Sequence, residues 1–215
     1  MSNKNAIEVS KLFKEYSNNI IALNNIDLNI PYGSISGLLG PNGAGKSTFI
    51  NILAGLASKS SGKVKICDID IDLDPKTARG AIGVVPQEVN IDPYFTPIEI
   101  LNNQAGYYGI SSKDMKNKTI LKELNLSSKT NAYSRSLSGG MKRRLMIAKA
   151  IVHQPPVLVL DEPTAGVDVE LRKKLWNYIK KLNKNGTTII LTTHYLEEAE
   201  KLCDQIAIIN KGKLI

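Results

Sequence analysis

The sequence predicts an α/β protein with a mostly parallel sheet, an N-terminal antiparallel β portion and an inserted α-helical lobe. Three observations predict it. Strand-like and helix-like apolar patterns alternate along most of the chain, as they do where parallel strands are joined by helical crossovers. Residues from about 96 to 137 depart from that alternation, being mostly helical and lacking strong strands. Finally, Gln87, Asp161 and His194 each stand just past a short apolar run. That places three polar side chains beyond the carboxyl ends of strands, where open α/β sheets bind ligands.

The elements follow in order. Ala22, Leu23, Ile26, Leu28 and Ile30 form an early strand pattern that ends at the turn Pro31-Tyr32-Gly33. Ile35 to Leu39 is a short strand that enters a glycine-rich loop. Phe49, Ile52, Leu53 and Leu56 then share one face at helical spacing, and Ser60-Ser61-Gly62 breaks the helix. Ala81 to Val85 is a second strand, ending at Pro86-Gln87. From about residue 96 to 137 the pattern is mostly helical, with looser loops around Gly106, Gly109, Ser111 and Ser112. A further helix follows Ser138-Gly139-Gly140, carries Leu145, Ala148 and Val152 on one face, and stops at Pro155-Pro156. Val157 to Leu160 is a buried-type strand, Val169 to Leu182 a helix, and Thr187 to Thr193 another strand.

The length of 215 residues suits one domain, or one core with a smaller inserted lobe. It is enough to bury a sizeable core, and 42% apolar with 22% charged residues is ordinary for a globular protein. Cys67 and Cys203 are too few for a disulfide framework and match no metal spacing. They read as reduced thiols of a cytosolic protein. The N-terminal run has no apolar h-region and no cleavage site, so it is not a signal peptide. No stretch approaches the about eighteen consecutive apolar residues of a membrane span. If the protein works at a membrane, a partner holds it there. The net charge is +8, but most of the 28 basic residues are lysines scattered along the chain. That is a solvated surface rather than a nucleic-acid footprint.

Gly40-Pro41-Asn42-Gly43-Ala44-Gly45-Lys46-Ser47 fits G-x-x-x-x-G-K-[ST] at every position, with a strand before and a helix after. Its glycines let several N–H groups turn toward phosphate oxygens, and the following helix adds the positive end of its dipole. Lys46 supplies a mobile charge for the β- and γ-phosphates, and the Ser47 hydroxyl a ligand for Mg²⁺. This is a phosphate loop of the P-loop NTPase type. Alone it says only that the chain holds a nucleoside triphosphate.

Val157 to Leu160 delivers Asp161 and Glu162 to the sheet edge. There a carboxylate holds Mg²⁺, directly or through water, and its neighbour polarises an attacking water. With Leu137-Ser138-Gly139-Gly140-Met141 upstream of that pair, the chain resembles the ATPases of ABC transporters from Tyr16 to Leu214. The run from Leu137 through His194 to Ala199 is most similar to subunits of ABC-2-type exporters, including putative drug exporters.

The resemblance implies one domain over residues 1–215, with 1–88 and 156–215 as nucleotide-binding core and 89–155 as helical lobe with the signature motif. It implies ATP and Mg²⁺ as cofactors and a head-to-tail dimer, with itself or a homologous subunit, enclosing two ATP molecules. Tyr16 would stack on adenine, and Gly40 through Ser47 with Thr48 would bind ATP. Lys46, Gln87, Glu162 and His194 would be catalytic, and Ser47, Gln87 and Asp161 would hold the metal. Ser138, Gly139, Gly140 and Asp168 would touch the ATP held by the other copy. Physically, a serine and two glycines opening a helix face an anion with a hydroxyl, bare N–H groups and a dipole. The partner implied is a polytopic permease that holds the ATPase at the cytoplasmic face of the membrane, without direct nucleic-acid binding. Tyr94, Phe95, Tyr107 and Tyr108 would be permease anchors or lobe core.

Three departures accompany the resemblance. Met141 stands where many members have glutamine, and Ala165-Gly166-Val167 precedes Asp168 in place of Ser-Ala-Leu. The chain also ends at Ile215, where members continue, which implies a trimmed domain or a fragment. Asp68, Asp70 and Asp72 hint at a calcium loop, but Leu73 and Arg79 occupy the positions that need Gly and Glu. An alternating solvent face is the expectation there. The rival function is a soluble ATPase of the same family acting on nucleic acid, ribosomes or cofactor assembly. One phosphate loop, one signature and no long heptad stretch speak against its translation and DNA-repair forms.

Overall fold

The computed structural model describes residues 4–17, 19–164 and 169–215. In chain order the elements begin with β1 (Asn5–Tyr16), β2 (Ile20–Pro31), β3 (Ile35–Leu39), α1 (Lys46–Leu53), β4 (Ser61–Ile66), β5 (Ile69–Asp70), α2 (Pro75–Gly80) and β6 (Ile82–Val85). Then come α3 (Pro97–Tyr107), α4 (Asn117–Glu123), α5 (Gly139–Ile151) and β7 (Val157–Asp161). The chain closes with α6 (Val169–Lys184), β8 (Thr188–Thr193), α7 (Leu196–Leu202), β9 (Gln205–Asn210) and β10 (Lys213–Leu214).

A four-stranded antiparallel sheet, β2-β1-β4-β5, lies over one face of a six-stranded sheet ordered β10-β9-β3-β8-β7-β6. The pairs from β9 to β6 are parallel, and β10 returns antiparallel to β9. Helix α1 is buried between the layers through Phe49, Ile50, Ile52 and Leu53. Side-chain alternation along β7 explains why its sequence is an unbroken apolar run. Val157 and Val159 face the α1 layer, while Leu158 and Leu160 face the helices on the other side.

Leu101 and Ala105 of α3, Leu121 of α4 and Leu145 of α5 form one apolar cluster with Leu158, Leu160 and Leu191 of the sheet. The helical segment therefore shares its core with the sheet through α5. Its start is fixed locally: Thr96 and Glu99 make a reciprocal capping box, with Pro97 in the first turn.

Several sequence expectations are corrected. β1, β4 and β9 are full strands that no apolar run in the sequence singled out. α1 ends at Leu53, so Leu56 lies beyond it and is 77% exposed. The aspartates at 68, 70 and 72 are not one alternating face. Ile66 pairs with Ile69, and Cys67 and Asp68 (φ 51° and 65°) make the two-residue turn of a hairpin. Asp68 then pairs with Lys4 and Asp72 with Lys59.

Both cysteines are free. Burial pushes the Cys203 thiol up to about 12, and its sulfur would stand 2.9 Å from a Cβ placed on Gly37. Alkylation of the native protein at pH 8 should therefore spare Cys203 while a denatured control labels fully. Equal labelling rates in the two states would contradict this packing.

Candidate nucleotide-binding site

The turn between β3 and α1 is shaped by its neighbours. Gly45 caps α1 at φ 113°, and a Cβ there would come within 2.5 Å of the Ala22 carbonyl. At Gly40 a Cβ would meet the Ile209 carbonyl at 2.2 Å. Glycine is thus required where β2 and β9 close on the loop. Lys46 is buried and folds back over the loop, its Nζ donating to the carbonyls of Gly40 (2.6 Å) and Pro41 (3.1 Å). Gly45→Ala should lower stability by at least about 1–3 kcal/mol, the cost of a strained left-handed residue. Gly106→Ala, in α3 with open space around it, should instead gain about 0.5–1 kcal/mol. Denaturant melts of both variants check the opposite signs.

Gln87, Asp161 and His194 do converge, because β6, β7 and β8 are adjacent and parallel. Their meeting point is Glu162. Its Oε2 accepts from Gln87 Nε2 at 3.1 Å, and its Oε1 lies 3.3 Å from His194 Nδ1. An ionised carboxylate offers about four acceptor sites, so these contacts leave capacity for a water. The Glu162 amide donates to the Thr192 hydroxyl at 3.0 Å, and that hydroxyl donates to Asp161 Oδ1. Burial raises the Asp161 pKa, and the Thr192 hydrogen bond opposes the rise. The Glu162 charge adds to it, while Lys46 and Arg143 pull it down. A buried carboxylate of this kind suits a cation. With the Ser47 hydroxyl and the Gln87 amide it would supply hard oxygen donors of the kind Mg²⁺ takes. Among the described residues, no group of three His, Cys, Asp or Glu could hold a metal alone, so phosphate and water would complete the shell.

A cleft of about 430 Å³ joins these parts, running from Tyr16, Ile20 and Ile21 past Lys46 to Gln87 and Glu162. Tyr16 and Ile20 face each other across the β1–β2 hairpin, each exposed. Asn42, Gly43, Gly45, Ser47 and Thr48 also line it. Ser138, Gly139 and Gly140 do not. They open α5 at the surface, with Ser138 and Gly139 exposed and the Ser138 oxygen accepting from the Met141 amide at 3.3 Å. Asp168 lies outside the described residues.

Sequence reasoning missed three features of the site. Thr192 is one; it sits in the strand run just before His194. Ile20 and Ile21 are another, exposed apolar residues beside Tyr16. The third is Arg143, the middle residue of the basic run Lys142-Arg143-Arg144. It is 5% exposed, and its guanidinium donates only to backbone carbonyls at the ends of β6 and β7. Burial lowers its pKa, and the Asp161 and Glu162 charges raise it in return.

A family model described as "ABC transporter" matches residues 23–165, from β2 across the phosphate loop, the signature and the acidic pair. The chain belongs to the ABC transporter family. Among curated relatives of this ABC cassette is the Nod factor export ATP-binding protein I of Cupriavidus pinatubonensis (strain JMP 134 / LMG 1197). It is 41% identical over 97% of this chain and 65% of its own length. The protein of the same name in Rhizobium etli (strain ATCC 51251 / DSM 11541 / JCM 21823 / NBRC 15573 / CFN 42) is 39% identical over 98% of this chain and 67% of its own. The cassette thus spans about two thirds of the length of these relatives. The fold is that of ABC ATPase cassettes. The ATP-binding subunit of an ABC transporter superposes with a TM-score of 0.89 at 29% identity, covering 97% of this chain and 88% of that one. The cassette MJ0796, solved as a dimer in a post-hydrolysis state with ADP and Pi, gives 0.86 at 30% identity over 97% and 96%.

Proposed function

We propose that this ABC cassette binds and hydrolyses ATP as a head-to-tail dimer, and that it energises export through a separate membrane permease. The observation that carries the reading is Glu162, held between Gln87 and His194 beside the phosphate loop. The loop amides and Lys46 cradle the phosphates. Tyr16 with Ile20 and Ile21 receives the adenine. Ser47, Gln87 and Asp161 hold Mg²⁺, which supplies charge neutralisation at the phosphate oxygens. Glu162 takes the proton of the attacking water, and His194 contacts the γ-phosphate. Catalysis is positioning plus electrostatic stabilisation. Ser138, Gly139, Gly140 and Asp168 act on the nucleotide of the second copy. The exposure of Ser138 and Gly139, and their absence from the cleft lining of their own chain, support that assignment.

In this reading residues 1–88 and 156–215 are the nucleotide-binding core and 89–155 the lobe. Between them opens a groove of about 670 Å³ bordered by Leu56, Arg79, Asp92, Tyr108, Met146 and His153. Tyr94 and Tyr107 are 71% and 86% exposed, and Phe95 and Tyr108 are about 40% exposed. That exposure supports reading the four as surface anchors rather than lobe core, with the groove, bordered by Tyr108, as the place where the permease docks. In this reading the partner holds the cassette at the cytoplasmic face of the membrane; no helix among the described residues is long and apolar enough to cross one. The relatives named for export favour transport over action on nucleic acid or ribosomes. Burial of Arg143 also takes the central residue of Lys142-Arg143-Arg144 away from the surface where nucleic acid would bind.

Purification from its native membrane tests the transport half: a polytopic membrane protein should accompany the chain. Reproducible capture of ribosomes or DNA instead would overturn it. Phosphate release from Mg-ATP by the purified chain tests the enzymatic half.

A further inference from the structure

Arg143 occupies an unusual place. It lies on α5, five residues after Ser138, at the end of the helix that the second copy's nucleotide is proposed to meet. Yet its guanidinium reaches away from that surface. Nε donates to Pro163 O at 3.1 Å. One terminal nitrogen, Nη1, donates to Pro86 O at 2.7 Å and Gln87 O at 2.9 Å. The other, Nη2, donates to Asp161 O at 3.2 Å and Glu162 O at 2.5 Å. Five carbonyls from two loops are gathered on one planar fork. They are the carbonyls of the backbone that presents Gln87, Asp161 and Glu162.

The chemistry singles out arginine. Its five N–H donors lie in a fixed plane, whereas a lysine has three donors on one point. Glu162 is also a non-glycine residue at φ 45°, a conformation that needs outside support. Its carbonyl is held by Nη2 and its amide by Thr192. A rigid helix therefore connects two groups that a hydrolysing dimer has to coordinate. At its start are Ser138, Gly139 and Gly140, and one turn in is the clamp on the catalytic carboxylate's backbone.

We propose that Arg143 is a positioning residue that couples the signature helix to the hydrolytic carboxylate of the same chain. Engagement of the second copy's ATP by Ser138–Gly140 then sets the geometry of Gln87 and Glu162 at this chain's own ATP. The two sites of the dimer fire cooperatively because each chain carries this link. The inference rests on the hydrolytic reading above.

Arg144 provides the control. It is the next residue on α5, but its Nη1 donates to Leu124 O at 2.8 Å and to Asn125 O, and its Nε to Gly140 O at 3.4 Å within the helix, so it reaches neither the Gln87 nor the Glu162 backbone. The experiment compares wild type, Arg143→Lys, Arg143→Gln and Arg144→Lys. It measures binding of a fluorescent ATP analogue, phosphate release against Mg-ATP concentration, and thermal melting. For both Arg143 variants we expect analogue affinity within about twofold of wild type. Turnover should fall about 100-fold, the cost of a small misplacement of catalytic groups, and the Hill coefficient should drop toward about 1. Arg144→Lys should keep wild-type turnover and cooperativity.

Wild-type turnover and Hill coefficient in Arg143→Lys and Arg143→Gln would overturn the coupling. So would losses that Arg144→Lys reproduces, or unfolding of both Arg143 variants, since each makes the residue merely structural. A wild type that hydrolyses ATP without cooperativity overturns the coupling and leaves the hydrolytic reading standing. A wild type that releases no phosphate, and binds the analogue no better than Lys46→Ala, overturns the reading itself.

Discussion

Glu162→Gln turns over Mg-ATP about 10²- to 10⁴-fold more slowly than wild type, the usual contribution of a general base. The substitution keeps shape and removes proton affinity. In the native site both carboxylate oxygens are engaged, Oε2 by Gln87 Nε2 and Oε1 by His194 Nδ1. A glutamine has one acceptor oxygen and presents an NH₂ group to the other neighbour. The new glutamine keeps its oxygen toward Gln87 Nε2 and turns its NH₂ toward His194 Nδ1, which accepts in the Nε2–H tautomer, so the Gln87 oxygen stays free for Mg²⁺. The phosphate loop makes none of its hydrogen bonds through Glu162, so ATP affinity is expected to hold. Single-turnover phosphate release beside a binding titration separates the two effects. Release within tenfold of wild type would remove Glu162 from the role of proton acceptor.

Lys46→Ala weakens ATP binding by about 10- to 100-fold, because a charge-assisted hydrogen bond contributes about 1.5–3 kcal/mol. The ammonium already lies in the loop, bonded to the carbonyls of Gly40 and Pro41. Its transfer to phosphate oxygens exchanges neutral acceptors for charged ones, which favours the bound state. The alanine variant should stay folded, since α1 is anchored by Phe49, Ile50, Ile52 and Leu53 rather than by the lysine. Calorimetric titration with Mg-ATP reads the loss directly. An unchanged affinity would mean that Gly40 to Ser47 is not the phosphate site.

What the sequence disclosed follows from how local each signal is. The phosphate loop is eight contiguous residues, so it is complete in one window. Gln87, Asp161 and His194 are far apart in the chain, but each follows a short apolar run, and parallel strands place such residues together. Arg143 was hidden by its neighbours. Lys142-Arg143-Arg144 is a run of three bases on the signature helix that could touch nucleic acid, although Arg143 shares a helix face with Ile147 and Ala150, both buried. That spacing was the available sign that it points inward.

β4 alternates buried Val64 and Ile66 with Lys63 and Lys65, a signal of period two that is short and follows a helix break. β9 leaves Ile206 and Ile208 partly exposed at 40% and 46%, so its pattern is weak as well. Leu56 failed in the other direction: helical spacing continued past the point where α1 ends. Ile20 and Ile21 carry no motif. They gain meaning from the hairpin that sets them beside Tyr16 and the loop. Ser138 to Gly140 mark the boundary of what one chain displays, because their proposed ligand belongs to a second copy.

That second copy is the central claim. Sedimentation of Glu162→Gln with saturating Mg-ATP tests it most directly, with Lys46→Ala in the same buffer as control. A species of twice the 23.5 kDa chain mass, formed with Mg-ATP and absent in the control, is the predicted result. Glu162→Gln that binds one ATP per chain and still sediments as a monomer would contradict the account.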